Sequence, residues 1–267
     1  MNTYDNNKDN GSASRDYKET RVSTGTAVMD WLLEGGYEKG ILTTVYGPAG
    51  SGKTNLCLLC IANSVKGQKV IYVDTEASFS VTRFRQVCPD YKKALEKIIF
   101  LKPTSFSEQE KAVSRLSRLL KQDVGIIFVD TMTVLYRTEM SDEDNRGLNN
   151  KLVGQLRTLL ELARKKDIPV ILTSPVYADL EKKDEVKVLG GMMMRNMSKC
   201  LIELRKSGPN RVAVIHKHRS IEDGKSIVFR IVDKGIEEVR KSHAEKPQKA
   251  SNSKNTKPGF DKSNARS

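Results

Sequence analysis

Between residues 41 and 174 the chain alternates short apolar runs with longer stretches in which apolar residues recur every three or four positions. The runs are Ile41–Tyr46, Lys69–Asp74, Ile98–Leu101, Val124–Asp130 and Ile168–Ser174. Their lack of polar alternation and their β-branched content suit strands buried on both faces. The segments between them predict helices: one after residue 52, one carrying Arg83 and Phe84, an amphipathic one over 107–121 and a long one over 147–166. Such alternation predicts an α/β fold, a mostly parallel twisted sheet with helices on both faces.

The pattern changes beyond residue 199. Lys199–Arg205, Arg211–His216 and Ser226–Val232 read as strands of a meander, turning at Ser207-Gly208-Pro209-Asn210 and Glu222-Asp223-Gly224, and they predict an antiparallel C-terminal extension of the sheet. Ahead of the first run, residues 23–36 read as a short capped helix that stops at Gly35-Gly36. Neither end of the chain carries a period. The organisation expected is a disordered segment over 1–20, one core over 21–239, and a basic disordered tail over 240–267.

Residues 47–54, Gly47-Pro48-Ala49-Gly50-Ser51-Gly52-Lys53-Thr54, stand between the first strand and its helix. Strand, glycine-rich turn and helix in that order gather backbone N–H groups and a helix N-terminus around one point, which suits phosphate oxygens. Gly47, Gly50 and Gly52 let the backbone wrap closely, Lys53 can reach the outer phosphates, and the Thr54 hydroxyl is placed for a bridging Mg²⁺. This is a P-loop in its required context, and it calls for ATP and Mg²⁺.

Composition adds a partner class. The formal charge is +13, with +6 on residues 240–267, −1 on residues 1–20 and the remaining +8 on the body. That balance favours a polyanion such as nucleic acid, although a basic surface alone would also produce it. No apolar run approaches the ~18 residues of a membrane span, and the first 20 residues are polar, so the expectation is a soluble cytoplasmic protein without a membrane partner. Cys57 and Cys60 form a C-x-x-C, but they fall one turn apart inside the apolar helix behind the P-loop. They read as core packing, not as a redox pair.

Two carboxylates complete the predicted site. Asp130 ends a strand after four apolar residues, where a P-loop ATPase keeps its second Mg²⁺ contact; capping of the next turn is the other reading. That assignment assumes that strand 126–129 lies beside the P-loop strand. Glu76 follows Asp74-Thr75 at the end of another apolar strand, where a carboxylate could orient or deprotonate an attacking water; a structural ion pair is the alternative.

Assembled, these residues resemble the RecA/RadA recombinase family, and within it the archaeal RadB proteins. The resemblance runs from about Val22 to Ile236 and is carried by Ser23-Thr24-Gly25, Gly47–Thr54, Asp74-Thr75-Glu76, Asp130-Thr131, Leu135-Tyr136-Arg137-Thr138-Glu139, Asn145-Arg146, Leu162-Ala163-Arg164, Val170–Ser174 and Gly190-Gly191. It implies a RecA-like core in which Lys53 and Thr54 bind phosphate and Mg²⁺, Glu76 activates water and Asp130 is the Walker B residue. Arg83 looks like the arginine that stacks on adenine. Residues 131–146 and 175–191 would be two flexible loops facing DNA, with Arg137 and Arg146 the basic side chains of the first. Lys182, Lys183 and Lys187 belong to the second, where charges equally suit a solvated loop.

Two departures from the family pattern bear on activity. Strand-exchange recombinases carry an amide side chain after the Thr-Ser pair, whereas Pro175 stands here with no side-chain donor, which predicts weak coupling between ATP and DNA. About 20 residues precede the core and the first phenylalanine is Phe79, so neither a helix-hairpin-helix domain nor a Phe-x-x-Ala docking segment is expected, and long active filaments are not. The function expected is a DNA repair and recombination accessory protein with weak ATPase activity and no strand exchange of its own. Its partners would be DNA, the main archaeal recombinase RadA and, as a further option, a Holliday-junction resolvase. A KaiC-like signalling ATPase acting on protein partners, or a binding module with structural ATP, are the competing readings.

Overall fold

The computed structural model describes residues 20–120, 123–142, 144–178 and 186–239, with the backbone alone for 178 and 186–188. The expectations for residues 1–19 and 240–267, and for Lys182 and Lys183, lie outside the described residues.

A two-stranded ladder, β1 (Arg21–Val22) with β2 (Tyr37–Glu38), brackets α1 (Ala27–Leu32). The Thr26 hydroxyl caps α1 at the Val28 amide, and the hydroxyls of Ser23 and Thr24 both donate to Asp30, so the helix starts four residues inside the stretch its sequence predicts. Then come β3 (Leu42–Tyr46), α2 (Lys53–Ser64), β4 (Lys69–Asp74), α3 (Val81–Val87), α4 (Tyr91–Leu95) and β5 (Ile98–Leu101). The middle of the chain forms α5 (Phe106–Leu119), β6 (Val124–Asp130), α6 (Val134–Thr138), α7 (Arg146–Lys166) and β7 (Val170–Ser174). A small antiparallel ladder, β8 (Val176–Ala178) with β9 (Val186–Val188), precedes α8 (Gly191–Met197), and β10 (Cys200–Ser207), β11 (Asn210–Lys217), β12 (Ser226–Val232) and β13 (Gly235–Glu238) close the core.

The main sheet has nine strands in the order β13-β12-β11-β10-β3-β7-β6-β4-β5. From β10 to β5 all neighbours are parallel, and β11, β12 and β13 add the antiparallel extension. One expectation fails: β6 does not lie beside the P-loop strand β3. β7 separates them, and β4 lies one position further out, because α2 carries the chain past two places in the sheet that β6 and β7 fill later. Val170, Ile171 and Leu172 are as apolar as the other strand residues, so apolarity alone does not reveal the order. Since the strands are parallel, the carboxyl ends of β3, β7, β6 and β4 still share one edge, where ligands bind in open α/β sheets.

Each face of the sheet has its own core. One packs Leu56, Leu58 and Ile61 of α2 with Met29, Leu32 and Phe84 against Val45, Tyr72 and Phe128. The other packs Phe106, Val113 and Leu116 of α5 with Leu152, Leu156 and Leu159 of α7 against Ile71, Ile127 and Leu172. Cys57 and Cys60 are both buried and free inside the first core. Burial pushes the Cys57 thiol well up and the Cys60 thiol to about 12, so both stay protonated and act as packing groups.

Candidate nucleotide site

The P-loop leaves the end of β3 at Gly47 and enters α2 at Lys53, with Gly50 and Gly52 at φ +70° and +104°, in the left-handed region that favours glycine. A Cβ on Gly47 would lie 2.3 Å from the Leu204 carbonyl oxygen, so this glycine is required by close packing against β10. Lys53 curls over the loop it follows: its Nζ donates to the Gly47 and Pro48 carbonyls at 2.8 and 3.1 Å. Burial lowers its proton affinity, and the Asp130 and Glu76 carboxylates oppose that shift. The hydroxyl of Ser51 and the side-chain amide nitrogen of Asn55 are buried without a hydrogen-bond partner. A glycine-rich turn at a helix N-terminus, with orphaned polar side-chain atoms and a cation above it, fits a phosphorylated ligand, and these residues would hold ATP.

Asp130 gathers four side-chain donors. Its Oδ2 accepts from Thr54 Oγ1 at 2.8 Å, Tyr72 Oη at 2.6 Å and Ser78 Oγ at 3.0 Å, while its Oδ1 accepts from Thr173 Oγ1. The aspartate thus ties together the P-loop helix and the ends of β4, β6 and β7. Because the Thr54 hydroxyl proton points at Asp130, the lone pairs of Thr54 Oγ1 remain available for a metal ion. The donor set fits Mg²⁺: Thr54 and Asp130 are the residues that would hold it, and the ion would supply positive charge beside the phosphates. Tyr72 and Thr173 escaped the sequence reading. The signal available was a lone phenol two residues before Asp74 in an otherwise aliphatic strand, and hydroxyls at the end of β7.

Glu76 sits at the mouth of the site, exposed, two residues past the end of β4. The buried carboxylate at the strand end is Asp74: its Oδ1 accepts from the Ser78 amide at 2.9 Å and its Oδ2 from the Phe79 amide at 3.3 Å. Asp74 therefore holds the turn on which Glu76 is presented. Partial desolvation raises the Glu76 pKa, the negative charges of Asp130 and Asp74 add to the rise, and Lys53 opposes it. A carboxyl with a raised pKa at the edge of a phosphate site is suited to taking a proton from water.

Arg83 spends its whole donor set on neighbouring groups. Its Nε donates to Asn55 Oδ1 at 2.8 Å, Nη1 to Gln86 Oε1 and the Asp233 carbonyl at 2.8 and 2.9 Å, and Nη2 to the Val232 and Gly235 carbonyls at 2.8 and 3.2 Å. The guanidinium is locked in plane between α2, α3 and the β12–β13 turn. Its π-faces remain the surfaces through which it could meet an adenine ring.

The two segments expected as DNA loops carry more order than their sequence suggests. Residues 131–146 contain α6, anchored by buried Leu135 and Tyr136, with the Tyr136 ring edge-on to Phe106 at 5.8 Å and its hydroxyl donating to Asn149. Residues 175–191 begin and end in the β8–β9 ladder, where Tyr177 faces Lys187 across the strands. Between them opens a cavity of about 630 Å³ lined by Arg137, Met140, Tyr177, Gly190 and Met192 among others. Arg137 is exposed at this cavity, whereas Arg146 begins α7 and pairs with Asp144, so the two arginines are not brought to one spot. The Lys187 side chain lies outside the description.

Comparison with known proteins places this geometry. The Rad51 family model matches residues 15–239. The DNA repair and recombination protein RadB of Methanococcoides burtonii is 42% identical over 212 residues, 78% of this chain and 93% of the relative. The RadB protein of Methanocaldococcus jannaschii is 39% identical over 77% of this chain and 97% of its own, and that of Methanoculleus marisnigri 39% over 83% and 100%. A crystal structure of the RadB recombinase superposes with a TM-score of 0.72 at 35% identity, covering 82% of this chain and all of that one. With its P-loop, its strand-end carboxylates and its mostly parallel sheet, the chain belongs to the Rad51 family, on its RadB branch.

Proposed function

We propose that this chain is a cytoplasmic DNA repair and homologous recombination protein of the RadB type. In this reading it binds ATP with Mg²⁺, hydrolyses it slowly, binds DNA, and assists or regulates the main archaeal recombinase, RadA, without strand exchange of its own. A Holliday-junction resolvase is the second partner of this reading. In the nucleotide site, Lys53 and the loop from Gly47 to Thr54 bind phosphates, Thr54 and Asp130 hold the metal, Glu76 takes the proton of the attacking water, and Arg83 stacks on the base. Bound Mg²⁺ would neutralise charge that develops on the phosphates.

The observation that carries the reading is how the nucleotide site adjoins the Arg137 face. β6 ends at Asp130 and the chain passes through Thr131–Thr133 into α6, β7 ends at Thr173-Ser174, and the Thr133 and Ser174 hydroxyls bond each other at 2.9 Å. Ser174 Oγ also lies 3.1 Å from the Pro175 carbonyl and 3.3 Å from that of Leu189, at the cavity wall. Through this relay a nucleotide could influence the DNA face, but the next residue, Pro175, contributes only its carbonyl, accepting from the Leu189 amide at 3.2 Å. A side chain that could hydrogen-bond a phosphate and carry its presence to the loop is missing, which supports weak coupling and an assisting role.

The test is ATP turnover by the purified protein with and without single-stranded DNA, beside strand exchange alone and with RadA. Slow turnover that DNA changes less than about tenfold, together with altered strand exchange by RadA, is the expected result. Strand exchange or continuous ATP-dependent filaments by the protein alone would sink the accessory role.

A further inference from the structure

We infer that Lys206 is an additional phosphate-binding side chain of this site, reaching the outer phosphates of a nucleoside triphosphate from within the same subunit, and that Arg211 positions the loop beside it. The inference rests on the ATP-binding reading above and extends it to residues outside the P-loop and the strand-end carboxylates.

The sheet order gives the P-loop two unlike flanks. On one side β7, β6 and β4 bring the hydroxyl and carboxylate groups of Thr173, Asp130, Asp74 and Glu76. On the other, β10 runs parallel to β3 with Glu203 in register with Tyr46, so β10 continues past the point where β3 turns into the loop. Its next residues line the loop directly. The Leu204 carbonyl meets Gly47, and the Nζ and Cε of Lys206 would lie 3.3 and 3.4 Å from a Cβ on Gly50. Arg211, across the hairpin on β11, donates from Nε to the Gly50 carbonyl at 3.1 Å and from Nη1 to the Asn210 and Gly208 carbonyls at 2.8 and 3.3 Å. Ile231 of β12 packs on Gly52, with its Cδ1 3.0 Å from a Cβ there. Three glycines of the loop are therefore each backed by the β10–β12 extension.

The Lys206 side chain is exposed and makes no hydrogen bond or ion pair to a described residue. It is near enough to Lys53 for its charge to help depress the Lys53 pKa. On this flank the β10 carboxylate, Glu203, is engaged by Arg205 and His216, so the like charges of Lys53 and Lys206 beside one loop repel each other until an anion arrives. Magnesium neutralises only part of a triphosphate's charge, and Lys53 supplies a single positive charge against the rest. A second ammonium at Gly50 answers the remainder, and it discriminates the triphosphate from the diphosphate because that remainder sits on the last phosphate.

The experiment measures MgATP and MgADP dissociation constants for the full chain, for K206A, K206R and R211A, and for K53A as a control. Protein concentration is varied about a hundredfold, and circular dichroism checks each fold. K206A is expected to weaken MgATP about tenfold and MgADP less than threefold, K206R to restore most of the loss, and R211A to weaken both nucleotides alike. None of these constants should depend on protein concentration. Equal loss of ATP and ADP in K206A, an unchanged K206A, or a defect seen only in assembled protein would overturn the inference. If the wild-type chain itself bound no ATP, the parent reading would fail with it, whereas normal wild-type binding beside an unaffected K206A defeats the inference alone.

Discussion

The surroundings of Asp130 and the cavity beside Arg137 lie at the same edge of the molecule and are built on opposite principles. Around Asp130, four hydroxyl donors from α2, β4, β7 and the turn after β4 converge on one carboxylate, and Asp74 fixes the turn that presents Glu76. At the cavity, Arg137 makes no side-chain bond to a described residue, and Met192 and Tyr177 are exposed at 69% and 38%. The first region has its geometry before a ligand arrives and loses little entropy on binding. The second keeps its groups free for a partner of variable shape and must order them on contact.

If that contrast is right, single changes in the first region should cost more than changes in the second. The largest effect belongs to Glu76→Gln, which should lower ATP turnover about 10²–10⁴-fold while leaving the ATP dissociation constant within about threefold. Turnover in the wild type should rise with pH as a carboxyl with a raised pKa loses its proton, because Glu76 works as the deprotonated base. A rate that stays flat as pH falls through the carboxylate range would remove it from that role. Stability should move oppositely. A carboxyl whose folded pKa is raised opposes folding once ionised, so Glu76→Gln should raise the melting temperature at neutral pH. The gain should disappear as pH falls below the ordinary carboxylate pKa of about 4.3. With Glu76 largely solvated, the rise is expected to be about a degree, readable by calorimetry.

Lys53→Ala comes next, with a loss of about 100-fold in MgATP affinity by titration calorimetry, the size expected for a charge-assisted contact to phosphate. Tyr72→Phe probes the same region more gently. The phenol is buried, and burial beside Asp130 pushes its pKa far up, so it serves purely as a donor. Its loss leaves Asp130 with three other donors and should cost about 1 kcal/mol, a fall in melting temperature of roughly 2–4 °C. A fall beyond about 10 °C would mean that the remaining donors do not hold the carboxylate.

These two regions were also unequally legible in the sequence. The P-loop, Asp130 and Glu76 could be found because each stands at a fixed offset from an apolar run, and the offsets survive even though the assumed neighbourhood of β3 and β6 was wrong. Parallel strands end on one edge whatever their order, so the site assembles either way. Tyr72 and Thr173 were hidden because their roles depend on which strands are neighbours, information that periodicity does not hold. At the cavity, α6 is only five residues long and the β8–β9 ladder pairs three residues with three, too short for any period to register. Arg137 and Arg146, nine positions apart, were read as one basic loop, while α6 and α7 send them to different places.

That separation makes the smallest effect the most discriminating. If DNA phosphate lies against the cavity, Arg137→Ala should weaken single-stranded DNA binding about three- to tenfold near 50 mM salt and reduce the slope of log K against log salt by about 0.7, one counterion's worth. Arg146 already faces Asp144 at 3.6 Å on an open surface, where such a pair contributes little, so Arg146→Ala should change the slope by less than half as much. Equal slopes for both variants would mean that DNA spans α6 and the start of α7 together. A slope unchanged by either would move the phosphate track away from this face, towards the other basic surfaces of the chain. Fluorescence anisotropy over a salt series separates the three cases, and it does so with ATP omitted, which keeps the answer independent of how far Pro175 weakens the link between the two regions.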